Sequence, residues 1–257
     1  LPALAFRLLW LAFGEAGGRD GDARVRGRRA FLLAFTFSGT GLVILLEGLS
    51  LLGAVSQIPL ALGWLAIIAA LGAVSHRRGS FRRLGNWLRR ARPRLTRWEW
   101  ALAGGIAAVC GMLLLVALVS APNNIDSLLY HMARVAHWAQ NGSLYHYAAV
   151  YHHQLRMPPW AEMSALNLYV LAGGDWPVNL VQWWSMVSCL ILAGGVAQML
   201  GGGRPARILS ATLVVSLPMV LLQSTSTQND LVTAAWLMAL AFSILLSLRD
   251  PADRWLP

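Results

Sequence analysis

Lysine is absent from the 257 residues and acidic side chains number only 11, so charged residues make up 12% of the chain. A soluble domain usually carries about twice that fraction, which argues against a water-soluble enzyme or a disordered tail. Cysteine is scarce as well. Cys110 and Cys189 each lie inside an apolar run, without CxxC or metal-ligand spacing, and read as packing residues. No Met opens the chain, and the apolar stretch 1–13 is short and interrupted by Arg7. The expectation is an N-terminal fragment of a longer protein.

What the sequence has is apolar length: 57% of the residues are hydrophobic, with mean hydropathy +0.55. Apolar runs at 30–53, 57–75, 100–121, 177–200, 207–223 and 231–248 each hold about 17–24 residues, the length of one helical crossing. Lipid cannot satisfy a strand's open backbone groups, so the crossings are expected to be helices. The expected fold class is all-α: a polytopic membrane protein with about six transmembrane helices.

The arginines orient it. They cluster before the first run (Arg19 to Arg29), between the second and third (Arg77 to Arg97), between the fourth and fifth (Arg204, Arg207) and after the sixth (Arg249, Arg254). If every run crosses, all these fall on one side, which the positive-inside rule makes cytoplasmic. Only Arg134 and Arg156 lie opposite. The basic stretch therefore reads as a loop held by anionic headgroups, not a nucleic-acid site. Within it Phe81, Leu84, Trp87 and Leu88 recur at helical spacing, as in a helix lying on the membrane surface that Pro93 ends.

On the other side the segment 122–176 is too long and too patterned for a linker. It holds Asp126, Arg134, Arg156, Glu162, Asp175 and five of the six histidines, interleaved with Tyr and Trp. It reads as two interfacial helices. The first runs from Asp126 to the stop signal Asn141-Gly142, with Asn123 and Asn124 as capping groups. In it Asp126, Tyr130, Arg134 and Trp138 recur every four residues and are expected to share a face. After the Pro158-Pro159 turn the second runs from about Trp160 to Leu171, ending at Gly173-Gly174.

Asp126 has two readings: a carboxylate taking a proton from an acceptor hydroxyl while Arg134 holds a phosphate, or a helix N-terminal charge. Asp230, after the polar stretch 224–229 on the same outer side, has the same two. Two outer acids in separate loops of one bundle are candidates to converge on a single site.

The string Asp126-Ser-Leu-Leu-Tyr130-His131-Met-Ala-Arg134-Val-Ala-His137-Trp138, then Asn141-Gly-Ser, His146-Tyr147, Gln154-Leu-Arg156-Met-Pro158-Pro159 and Ala161-Glu162, resembles the start of GT-C glycosyltransferases. These multi-spanning enzymes use polyprenyl-phosphate-linked sugars; protein O-mannosyltransferases and the aminoarabinose transferase of lipid A are examples. The resemblance covers about residues 100–248. It implies an Asp at the first outer helix in the active site, matched by Asp126, and a second acid in a later short outer loop, matched by Asp230 after Gln228-Asn229. Where some relatives carry an acidic–basic pair before Pro-Pro, this chain has Gln154-Leu155-Arg156-Met157, so the acid is missing.

The implied function is transfer of a sugar from a polyprenyl-phosphate donor to a hydroxyl of a lipid, glycan or protein acceptor. It would occur on the outer, periplasmic face of a bacterial inner membrane. Asp126 is the expected general base, Asp230 orients the sugar or acceptor or joins Asp126 at a cation, and Arg134, Arg156 or His131 holds the phosphate. Tyr130, His131, Arg134, Arg156, Gln228 and Asn229 are the expected substrate-binding residues. No cofactor is assigned and a divalent metal is left open, since adjacent His152 and His153 rarely converge on one ion; a satisfied interfacial role is the alternative for them. Residues 1–99 form an accessory pair of spans with a basic loop, and 100–257 the start of the catalytic core. Glu47, inside the first run, stays outside the catalytic set. The competing classes are a transporter or a non-catalytic membrane scaffold.

Overall fold

A computed structural model describes residues 1–13, 23–77 and 95–249, and all regular structure among them is helical. In chain order the helices are α1 (Pro2–Phe13), α2 (Ala23–Leu51), α3 (Gln57–Arg77) and α4 (Arg97–Val119). A π-helical stretch, Ser127–His131, leads into α5 (Met132–Asn141). The one-turn α6 (His153–Arg156) and α7 (Trp160–Ala172) come next, then α8 (Leu180–Met199), α9 (Arg204–Ser216), α10 (Pro218–Gln223) and α11 (Asp230–Arg249). The basic stretch 78–94, with its expected surface helix, lies outside the described residues, as do Arg19 and Arg254.

Among the described residues, five helical segments are long and apolar enough to cross a membrane: Gly27–Leu51 of α2, α3, α4, α8 and α11. Many of their exposed positions are apolar, as at Ile58, Leu62 and Leu65 of α3 and Met112, Leu115 and Val119 of α4, while Glu47 is an exposed acid within α2. A helix apolar on every side belongs in lipid or in a core, not in water. These are the features of an integral membrane protein.

The run expected as a fifth crossing, 207–223, is not one helix. Leu217 turns to extended backbone (φ −70°, ψ 123°), separating the 13-residue α9 from the 6-residue α10. The cause is Pro218, which has no amide hydrogen to donate and disfavours helical backbone in the residue before it. Hydropathy sees an unbroken apolar run; the hydrogen-bond ladder does not.

The chain forms two compact units, Leu1–Arg94 with Trp138–Tyr145, and Leu95–His137 with His146–Pro257. In the first, α1 packs on α2 and α3, with Phe6 edge-on to Phe31 at 5.5 Å and Trp10 Nε1 donating to the Gly27 carbonyl. The turn after α2 receives the end of α5. Val55 N–H donates to the Gly142 carbonyl (2.9 Å) and Leu144 N–H to Ser50 Oγ (2.7 Å). Gly142 ends the helix with φ +62°, and a Cβ there would sit 2.9 Å from the Gly53 carbonyl oxygen. The Asn-Gly stop signal is therefore also a point of backbone contact.

The second unit is built on α8, which packs against α4, α9 and α11. At one end, Glu99 in the first turn of α4 is buried and fully engaged. Its Oε2 accepts the Thr96 amide (2.8 Å) and hydroxyl (2.9 Å), and its Oε1 accepts Arg204 Nε from the start of α9 (2.6 Å). At the other end, Asn179 Nδ2 donates to the Ser120 carbonyl (2.8 Å), joining the start of α8 to the end of α4. Between them Trp183 Nε1 donates to the Cys110 carbonyl, and Cys110 packs on the cluster of Met186, Val220 and Leu231. Both cysteines are free thiols.

Close approach of α8 and α11 depends on Gly195, where a Cβ would lie 3.1 Å from the Phe242 ring. Small residues at such crossings let membrane helices pack closely. Gly195→Val is expected to lower unfolding stability in detergent by about 1–3 kcal/mol. Adding Phe242→Ala should recover part of that loss; a purely additive double mutant would show that the two positions do not meet.

Candidate functional site

The second unit gathers its polar residues at the end where α4 finishes and α11 begins. After Ser120 the chain leaves α4, and Asn124 starts the next helix. Its Oδ1 accepts the Ser127 amide (2.7 Å) and its carbonyl the Leu128 amide (3.1 Å). The first free amides of the helix are thus capped by Asn124, one of the two asparagines expected to do so. Asp126 makes no capping bond. Its carboxylate instead accepts Nε2 of Gln228, 102 residues away in the loop before α11 (3.3 Å). The two outer polar segments singled out in the sequence do meet.

The π-helical stretch Ser127–His131 then widens the turn, with Met132 N–H reaching back to the Ser127 carbonyl. One residue more per turn rotates the remainder of the helix about its axis. The expected face of Asp126, Tyr130, Arg134 and Trp138 is therefore divided. Arg134 and Val135 go into the interior together with Ser127 and His131, while Asp126 and Tyr130 stay half-buried; Trp138 is buried in its own unit. Leu128 and Leu129 remain exposed. Such π insertions recur at functional sites.

The interior holds a charged cluster that the sequence reading did not assemble. Glu162, in the first turn of α7, is 1% exposed, and His131 and Arg134 are each 2% exposed. Glu162 Oε1 lies 2.8 Å from His131 Nδ1 and 3.6 Å from Arg134 Nη1. The Arg134 guanidinium donates to three carbonyls: Gln154 through Nε, Met157 through Nη1 (2.9 Å) and His153 through Nη2 (3.3 Å). Gln154 adds a second tie, its Nε2 donating to the Leu129 carbonyl (2.7 Å) and its Oε1 accepting Tyr147 Oη (3.0 Å). The signal for Glu162 was present in the sequence: it is the lone charged residue of its helix, where an uncompensated charge is costly. Ala161 to Asn167 are buried without a break, so the first two turns of α7 are enclosed.

Around this cluster the rings are close. Tyr130 sits 4.1 Å from the His131 ring and 6.0 Å from His153, and His152 and His153 stack at 4.5 Å. Burial pushes the Tyr130 phenol above its ordinary pKa, and the charges of Asp126, Glu162 and Asp230 raise it further. Tyr130 thus feels all three carboxylates. Burial likewise raises the Tyr147 phenol, with Arg134 opposing and Glu162 adding to the shift.

Of the remaining expected residues, Asp230 stands exposed at the first position of α11. Asn229 supplies the carbonyl that accepts the amide and hydroxyl of Thr233. Arg156 is exposed on α6. Among the described residues no three His, Cys, Asp or Glu side chains gather as a metal's ligand set. Compared with models of protein families, with curated proteins and with solved structures, the chain matches none.

The division of labour between Asn124 and Asp126 has a measurable consequence. Asn124→Ala should cost about 0.5–2 kcal/mol of stability, the usual cost of losing an N-cap. Asp126→Asn should cost about 0.5 kcal/mol or less. Chemical denaturation in detergent distinguishes them, and the reverse order would return Asp126 to the helix terminus.

Proposed function

We propose that this protein transfers a sugar from a polyprenyl-phosphate donor to an acceptor hydroxyl at the outer face of a membrane, in the manner of the GT-C glycosyltransferases it resembles. The observation that carries the reading is the contact between Asp126 and Gln228. A carboxylate not needed as a cap lies at the end of a membrane bundle, beside a second polar loop. Tyr130 is in electrostatic range of both Asp126 and Asp230.

In this reading Asp126 takes the proton from the acceptor hydroxyl as the acceptor oxygen bonds to the anomeric carbon. The bond from that carbon to the phosphate oxygen breaks, and polyprenyl phosphate leaves. Gln228 orients Asp126, and Asp230 with Asn229 orients the sugar or the acceptor. Arg156, exposed on α6, is the cation for the lipid phosphate. Arg134 is committed to backbone carbonyls and acts by fixing the segment that carries Arg156. A divalent metal is left open in this scheme.

The topology that supports it has six crossings, with α9 and α10 together making the fifth as a helix broken at Pro218. The Glu99–Arg204 end would then face the cytoplasm and the Asp126 end the periplasm of a bacterial inner membrane. The partners are the lipid-linked sugar donor, a lipid, glycan or protein acceptor, and the surrounding lipid.

The same break gives a transporter its one specific support, because discontinuous helices often line transport sites. Here its flanks, Leu213 to Val215 and Leu217 to Met219, are interrupted only by Ser216 and carry no charge. The polar groups collect at the helix ends.

Membrane vesicles carrying the full-length protein, supplied with a panel of polyprenyl-phosphate sugars, test the proposal. Wild type should release sugar from at least one donor. Asp126→Asn should lower turnover by about 10²–10⁴-fold at equal abundance, and Asp230→Asn should lower it less. Full activity of Asp126→Asn would remove Asp126 as the base. Saturable uptake without sugar release would favour transport.

A further inference from the structure

His131 carries an orphan. Its Nδ1 is paired with Glu162, but Nε2 is buried and has no hydrogen-bond partner among the described residues, and neither has the nearby Ser127 Oγ. A buried polar atom left unpaired costs about 1–3 kcal/mol, so native sites that keep one usually fill it with water or ligand.

The chemistry of the cluster decides what Nε2 offers. Arg134 Nη1 lies 3.6 Å from Glu162 Oε1, an opposite charge beside the carboxyl group. An ionised carboxylate only accepts, so the proton between it and His131 belongs to Nδ1. With Glu162 balanced by Arg134, a neutral imidazole leaves the interior uncharged, whereas an imidazolium would bury a net positive charge. The neutral Nδ1–H tautomer presents a bare lone pair at Nε2. That atom cannot hold a phosphate oxygen, which needs a donor.

We propose that Glu162 is a positioning residue that fixes His131 as the Nδ1–H tautomer, making Nε2 a hydrogen-bond acceptor for a hydroxyl of the bound sugar. This rests on the sugar-transfer reading but changes the part of His131: it reads the sugar and leaves the phosphate to Arg156. The site selects a ligand that can donate. A sugar hydroxyl satisfies Nε2, and Ser127 Oγ on the preceding turn is a second partner for the same group. Enclosure keeps bulk water from competing.

Nitrogen-15 NMR of imidazole-labelled protein in lipid nanodiscs reads this directly, with the His131 signals assigned by comparison with His131→Gln. The wild type should show a protonated Nδ1 and an unprotonated Nε2. Glu162→Leu, which removes the acceptor at Nδ1, should release that preference and populate the Nε2–H form. If that variant does not fold, the wild-type tautomer alone decides, because an Nε2–H tautomer or an imidazolium at neutral pH overturns the proposal.

The ligand arm uses two probes: a short-chain polyprenyl phosphate bearing one hexose, and the same phosphate without sugar. The Nε2 signal should shift only with the first. His131→Phe should weaken binding of the first about five- to tenfold and of the second by less than about twofold. A shift with the sugar-free phosphate, or with neither probe, overturns the assignment. Absence of turnover with the sugar-dependent shift intact would remove glycosyl transfer and leave the hydroxyl site standing.

Discussion

A carboxylate enclosed at the start of an apolar helix cannot remain alone, and much of this protein's polar end depends on how Glu162 is satisfied. It draws in His131 and Arg134 from the helix after α4. Arg134 has donors to spare and spends them on the carbonyls of His153, Gln154 and Met157. A 13-residue helix, a π-widened turn and a loop rich in histidine are thereby fastened to one oxygen atom. Guanidinium suits this task because its fixed fork satisfies several acceptors at once. Lysine has three donors too, but they radiate from one nitrogen and do not reproduce this spread fork.

The membrane portion sets where that end lies. Glu99 with Arg204 closes one end of the second unit, and Asn179 with Ser120 closes the other. Between them the helices meet through small or apolar residues such as Gly195 against Phe242. The ion pairs of this unit thus lie near helix ends, while the interval is mostly apolar with a few neutral hydrogen bonds such as that from Trp183 Nε1 to the Cys110 carbonyl. That separation is what the bilayer imposes, since unpaired polar groups within it are costly. It also explains why Asp126 and Gln228, far apart in sequence, arrive at the same place: each lies beside a helix that reaches that end.

The sequence made the long helices legible because run length and hydropathy measure directly what lipid requires. The ends at Asn141-Gly142 and Gly173 were legible for a different reason, as both glycines have positive φ. Other features left no such trace. Pro218 was visible as a letter, yet an apolar run outweighed it until the extended backbone at Leu217 appeared. The π turn is a choice among hydrogen-bond patterns that the residues 127–131 do not announce. It redirected His131 and Arg134 inward, so a stripe drawn at intervals of four misjudged which side chains share a face. Glu162 was seen only as part of a string, because its partners lie 31 and 28 positions earlier and only tertiary packing brings them together. The Asp126 question turned on which neighbour caps the helix, and Asn124 answered it.

Hydrogen–deuterium exchange on the wild type and on Glu162→Gln, in the same lipid nanodiscs, tests the organising role of Glu162 most directly. The expected result is faster exchange at amides 127–134 and 153–157 in the variant, with α8 and α11 unchanged. Equal protection of both segments in the two proteins would contradict it, and would show that the polar end is held by its backbone and apolar contacts alone.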